Sequence, residues 1–167
     1  MASIERLRPD EIFQPEKSYK CWAAALVAWV QVTQSKAAFW LDDMDEAVRL
    51  FAKDQKLGGL DIKGEFRFMA EMVGMNYRRF LRHEVIQLTG GLLYSLLKNK
   101  GHLYIVVSGG SVTASVELAH AGVIWAIRNS NGPDAVVKVM DPIYGWVPDR
   151  PLSYYHGVAN AILGWPY

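Results

Sequence analysis

Apolar positions early in the chain either fill a helix completely or recur at helical spacing. The run Cys21-Trp22-Ala23-Ala24-Ala25-Leu26-Val27-Ala28-Trp29-Val30 carries no charged side chain and follows a polar, proline-containing lead-in over residues 1–20. Alanine and leucine favour helix, and a helix apolar on every side has to be buried. The run therefore predicts a central helix that starts at Cys21 and ends near Gln34 and Ser35, where polar residues accumulate. Asp42 or Asp43 can cap a second helix with Met44, Val48, Leu50 and Phe51 at core-facing spacings, stopped by Gly58-Gly59. A third is predicted from about Ile62 to Val73, with Phe66, Met69, Ala70 and Val73 on one face and Gly74 closing it. Residues 74–81 read as a short link or strand. Thr89 or Gly90 precedes a fourth helix, Leu92 to Lys98, ended by Asn99-Lys100-Gly101.

From His102 the period changes. Leu103-Tyr104-Ile105-Val106-Val107 is β-branched and aromatic and is bounded by Gly109-Gly110, which predicts a strand. Two further runs, from Ala119 to Ile127 and from Ala135 to Met140, flank the turn cluster Asn129-Ser130-Asn131-Gly132-Pro133-Asp134 and read as a β-hairpin. Residues 157–164 can add a last strand. A helical first half against an antiparallel sheet in the second half is an α+β architecture.

Bulk properties narrow the function. A chain of 167 residues suits one compact domain, 1–167. With 18 basic against 17 acidic side chains, and a formal charge of +1, there is no electrostatic case for nucleic acid or a membrane surface as partner. The single cysteine excludes an internal disulfide, and with four scattered histidines it excludes a thiolate-rich metal site, so no metal or other cofactor is expected. Residues 1–8 lack the apolar core of a signal peptide, and the Cys21–Val30 run is about half the length that spans a bilayer. The expectation is a soluble protein without membrane insertion; if it is secreted, either the route is leaderless or the leader lies on a segment not present here.

The candidate chemistry starts at Cys21. A helix start presents unpaired amides and the positive end of the dipole, a setting that favours the thiolate, which is the nucleophile. A base comes from the hairpin. In an antiparallel pair the loop fixes which residues oppose each other, and a turn between Arg128 and Ala135 brings His120 near Asp141, to within about two residues. Opposed side chains lie about 5 Å apart, close enough for a carboxylate to fix the tautomer of an imidazole and stabilise its cation. Nucleophile, base and orienter are the parts that thiol-based acyl transfer requires. His83 reads as exposed, and His102 and His156 lack a well-spaced acidic neighbour. Trp22, Trp29 and Trp40 read as core, Arg78, Arg79 and Arg82 as a solvated face, and Asp42, Asp43, Asp45 and Glu46 as helix-start carboxylates.

Cys21-Trp22-Ala23-Ala24 opening a buried helix, followed by His120-Ala121-Gly122-Val123 and Met140-Asp141-Pro142, resembles the papain-like cysteine peptidases. More narrowly it is similar to the compact bacterial branch that includes AvrRpt2-type effector proteases. The likeness runs from about Gln14 to Tyr167, with Leu152–Tyr155 at the place of a short helical segment. It implies a helical lobe and a sheet lobe meeting at the active site, Cys21 as nucleophile, His120 as base and then acid, and Asp141 as orienter. It also implies an oxyanion-binding glutamine, for which Gln14 stands one residue upstream of the usual spacing, with Pro15 in the expected place. The implied partners are a protein or peptide substrate and, for a secreted bacterial effector or toxin, an inhibitor or immunity protein. Two other functions stay open: an amidase, deamidase or transglutaminase using the same three residues, and a binding module with a degenerate site.

Overall fold

The structure, a computed structural model, describes residues 2–16, 18, 20–33, 40–52, 65–108 and 120–167. The described elements run β1 (Ile4–Glu5), α1 (Cys21–Thr33), α2 (Met44–Phe51), α3 (Glu65–Val73), β2 (Met75–Phe80), α4 (Gly90–Asn99), β3 (Leu103–Ser108), β4 (His120–Arg128), β5 (Val136–Asp141), β6 (Gly145–Pro151) and β7 (Asn160–Pro166). Short 3-10 turns occupy Val85–Gln87 and Leu152–Gly157. The strands form one antiparallel sheet in the order β2-β7-β3-β4-β5-β6, with β1 paired to β4. The architecture is α+β, as the pattern predicts.

Each helix follows from its sequence. α1 is buried from Cys21 through Val30, with no preferred apolar stripe, because it lies in the middle of the molecule. α2 is capped by Asp43, whose side chain accepts from the Glu46 amide at 2.9 Å, and it buries Ala47 and Phe51 while Met44, Val48 and Leu50 pack at the margin. α3 turns Phe66, Met69, Ala70 and Val73 inward and ends at Gly74, whose φ of 69° suits a residue without a Cβ. Thr89 caps α4 through the Leu92 amide at 3.2 Å. The predicted helix limits at Gln34-Ser35, Gly58-Gly59 and Ile62, and the strand limits at Gly109-Gly110 and Ala119, lie outside the described residues.

The central strands β3 and β4 are buried on both faces. Along β3, Tyr104 and Val106 join a core with α1, α2 and α3, whereas Leu103, Ile105 and Val107 join a second core with α4 and the two 3-10 turns. This explains why β3 reads as an unbroken apolar run rather than an alternating one. The first half also supplies β1 and β2 to the sheet, and α4 packs on the face opposite α1. Trp40 corrects an expectation, since it is 53% exposed, with its indole N–H donated to Asp42. Among the described residues no helix is long and apolar enough to cross a membrane.

Two buried hydrogen bonds tie α1 to the sheet. The Trp29 indole donates to the His102 carbonyl at 2.9 Å, and the Tyr104 hydroxyl donates to the Trp22 carbonyl at 2.9 Å. Burial pushes the ionisation of Tyr104 far above its usual range, so it remains a donor. Trp29→Ala removes a fully buried ring and one of these bonds, and is expected to cost about 3–5 kcal/mol in a urea unfolding titration. A cost under about 1 kcal/mol would show that α1 is not the packing centre.

Candidate active site

The first residue of α1, the first residue of β4 and the last residue of β5 meet at one end of the sheet. The start of one antiparallel strand lies beside the end of its neighbour, so the connectivity itself brings His120 and Asp141 together. Val123 opposes Met140, and continuing that register sets Asp141 against Gly122, which leaves His120 two residues further along on the same face. The offset falls within the range that loop length allows. Gly122 permits the close approach of the strands, because a Cβ there would lie 2.9 Å from both the Met140 carbonyl oxygen and Val139 Cγ2.

His120 Nε2 lies 2.7 Å from Asp141 Oδ2, and the ring also has the Cys21 side chain as a hydrogen-bond partner. With Nε2 committed to the carboxylate, Nδ1 is the nitrogen that serves the sulfur. Cys21 is buried, at 6% exposure, and the His120 side chain is 23% exposed, so the imidazole is the more accessible of the two. Burial acts to lower the basicity of His120. Hydrogen bonds to Asp141 and Cys21, with the charge on each, outweigh it and hold the imidazole up to about 9.

Asp141 has no solvent exposure, and burial alone would raise its pKa. The His120 hydrogen bond and charge, the Ile143 amide and Arg150 instead hold it down to about 2. Oδ1 accepts from the amides of Ile143 at 2.8 Å and Tyr144 at 3.3 Å, and Oδ2 accepts from Arg150 at 3.0 Å besides facing His120. Opposed-pair reasoning did not reveal Arg150, since its cross-strand partner is Val137 and it reaches Asp141 from a distance along β6. A basic residue on the strand returning from Asp141-Pro142 was the available signal.

The lead-in is strapped over the same loop. The Gln14 amide donates to the Pro142 carbonyl at 3.0 Å, Glu11 accepts from the Trp146 amide at 3.2 Å, and the Trp146 indole donates to the Pro9 carbonyl at 2.8 Å. The Arg8 guanidinium stacks on Trp146. Gly145 has a φ of 75°, and a Cβ there would run into the Glu11 carboxylate. Gln14 is thereby anchored beside Asp141, and its side-chain amide donates to the Ser18 carbonyl at 2.9 Å, which uses one of its two N–H groups. The other histidines sit elsewhere: His83 is exposed, His102 bonds to the Leu7 carbonyl and His156 to the Leu88 carbonyl. Among the described residues no group of three or more His, Cys, Asp and Glu side chains could hold a metal ion.

A solved structure with this fold is that of a double glycine motif protease from an AMS/PCAT transporter in complex with the leader peptide. The match has a TM-score of 0.58 at 14% identity and covers 98% of this chain and 95% of that one. It shows the papain-like fold and does not support the AvrRpt2-type branch suggested by the sequence motifs. No protein-family profile and no curated protein matches the sequence.

The buried pair makes stability depend on pH in a definite direction. Asp141 is lowered from 3.8 to about 2, so its contribution is present above about pH 4 and is lost as pH falls toward 2. His120 is raised from 6.5 to about 9, so its contribution is complete below about pH 6.5 and is lost as pH rises through 9. Both describe one interaction, counted once. Urea midpoints should therefore plateau between about pH 4 and 6.5, and His120→Ala should flatten the alkaline decline. Equal alkaline slopes in the two proteins would contradict the pairing.

Proposed function

We propose that the protein is a cysteine peptidase working through Cys21, His120 and Asp141. The observation that carries this reading is the imidazole of His120, bonded by Nε2 to a fully buried carboxylate and partnered on its other side by the cysteine that opens α1. In the reaction the Cys21 thiolate attacks the carbonyl carbon of an amide. The tetrahedral adduct then collapses as protonated His120 gives its proton to the departing amine, leaving a thioester. Neutral His120 next takes a proton from water, the hydroxyl adds to the thioester carbonyl, and the carboxylic acid leaves as the thiolate and imidazolium are restored.

Gln14 fits the oxyanion role through the second N–H of its side-chain amide, acting beside the main-chain N–H of Cys21. Its anchoring to Pro142 supports that assignment. The similar protease was solved with a leader peptide, which favours a peptide substrate over a side-chain or glycan amide here.

A proteome-derived peptide library incubated with native protein should yield new amino termini by mass spectrometry. Cys21→Ala should yield none, and Gln14→Ala should reduce them by about a hundredfold or more in rate. New termini of equal abundance with Cys21→Ala would refute the assignment, and their absence from both proteins would exclude a peptidase acting on such peptides.

A further inference from the structure

The proposed cycle makes a demand on Asp141 that His120 alone does not meet. While His120 carries a proton, the carboxylate has a cation 2.7 Å away. When His120 gives its proton to the leaving amine that cation disappears, yet Asp141 has no solvent exposure and keeps no contact with bulk water. An uncompensated buried carboxylate takes up a proton, and a protonated Asp141 would present a hydroxyl where His120 needs an acceptor.

Arg150 answers this demand geometrically. Its guanidinium donates to Asp141 Oδ2 at 3.0 Å, to the same oxygen that His120 faces, from a side chain only 11% exposed. The Tyr154 ring lies 4.5 Å from the guanidinium carbon, and Tyr155 lies beside it. With the Ile143 and Tyr144 amides on Oδ1, the acceptor sites of the carboxylate are filled and its rotation is fixed. The ionisable groups facing this cluster are His120 from β4, Arg150 from β6, Tyr154 and Tyr155 from the 3-10 turn, and Cys21 from α1 by way of His120. Of the two that can be cations, His120 and Arg150, only the guanidinium stays charged throughout the cycle.

Resting on the peptidase reading, we infer that Arg150 is a positioning residue: a permanent counter-charge that keeps Asp141 an oriented carboxylate while His120 is neutral.

The first test needs no activity. His120→Gln imitates the neutral imidazole, and the Asp141 carboxyl carbon is followed by NMR in protein labelled at aspartate. Adding Arg150→Met to His120→Gln is expected to move the Asp141 titration upward by at least about one pH unit, a tenfold change in proton affinity. Arg150→Lys in the same background should leave it low. An unchanged titration would overturn the inference whatever the catalytic role of the site.

The second test uses the peptide assay with His120 intact. Arg150→Met should lower kcat by about 10- to 100-fold with KM within about twofold, a partial loss of the roughly 100- to 10,000-fold that a well-placed general base contributes. Arg150→Lys should restore most of the loss. Arg150→Gln, which keeps a donor without charge, replaces Arg150→Met in both tests if the latter does not fold. Native kcat in a folded neutral variant would overturn the inference, whereas an inactive wild-type protein with the titration shift intact would overturn only the peptidase reading.

Discussion

A carboxylate without solvent contact persists only if donors surround it, and much of this structure is arranged around that requirement at Asp141. The residue ends β5, so the chain must turn immediately after it, and the turn supplies two amides to Oδ1. The strand that returns brings Arg150, and the strand before brings His120. Even the lead-in contributes, since the contacts of Gln14, Glu11 and Pro9 pin the Pro142–Trp146 loop from outside. Burying a charge in this way is costly, and a buried carboxylate beside a cysteine and a histidine is the arrangement on which the proposed chemistry rests.

The opposite side of the site rests on a different principle. Cys21 gets its position from a helix that cannot shift, because its neighbours fill the space around it on all sides and two indole and phenol hydrogen bonds fasten it to the sheet. Cys21 is thus held by apolar packing and His120 by polar contacts. A packed helix and a saturated carboxylate are both intolerant of small displacements, and the proposed reaction would need that constancy to keep sulfur, nitrogen and carbonyl carbon in register.

The elements that could be read from the sequence were those with strong local signals. An uninterrupted apolar helix, an Asp43 cap, a Gly74 stop and an Asn-Gly-containing hairpin each act within a few residues, and the hairpin carried enough geometry to pair His120 with Asp141. What escaped depended on long-range choices. β1 and β6 carry no alternating pattern, since β1 is two residues long and β6 is an edge strand with Pro148 and Pro151. The placement of α4 on the second face, the exposure of Trp40 and the reach of Arg150 to Asp141 follow from which surfaces meet. Local residue preferences do not specify that.

The most direct test is to ask which ring nitrogen of His120 holds its proton and how tightly. Two-dimensional proton–nitrogen NMR of histidine-labelled protein, followed from pH 5 to 11, reports both. The expected result is an imidazolium that persists to about pH 9 and then loses the Nδ1 proton, leaving the Nε2–H tautomer directed at Asp141. Titration near 6.5 to the Nδ1–H tautomer would mean that the carboxylate does not hold the ring, and the site described here would not exist in solution.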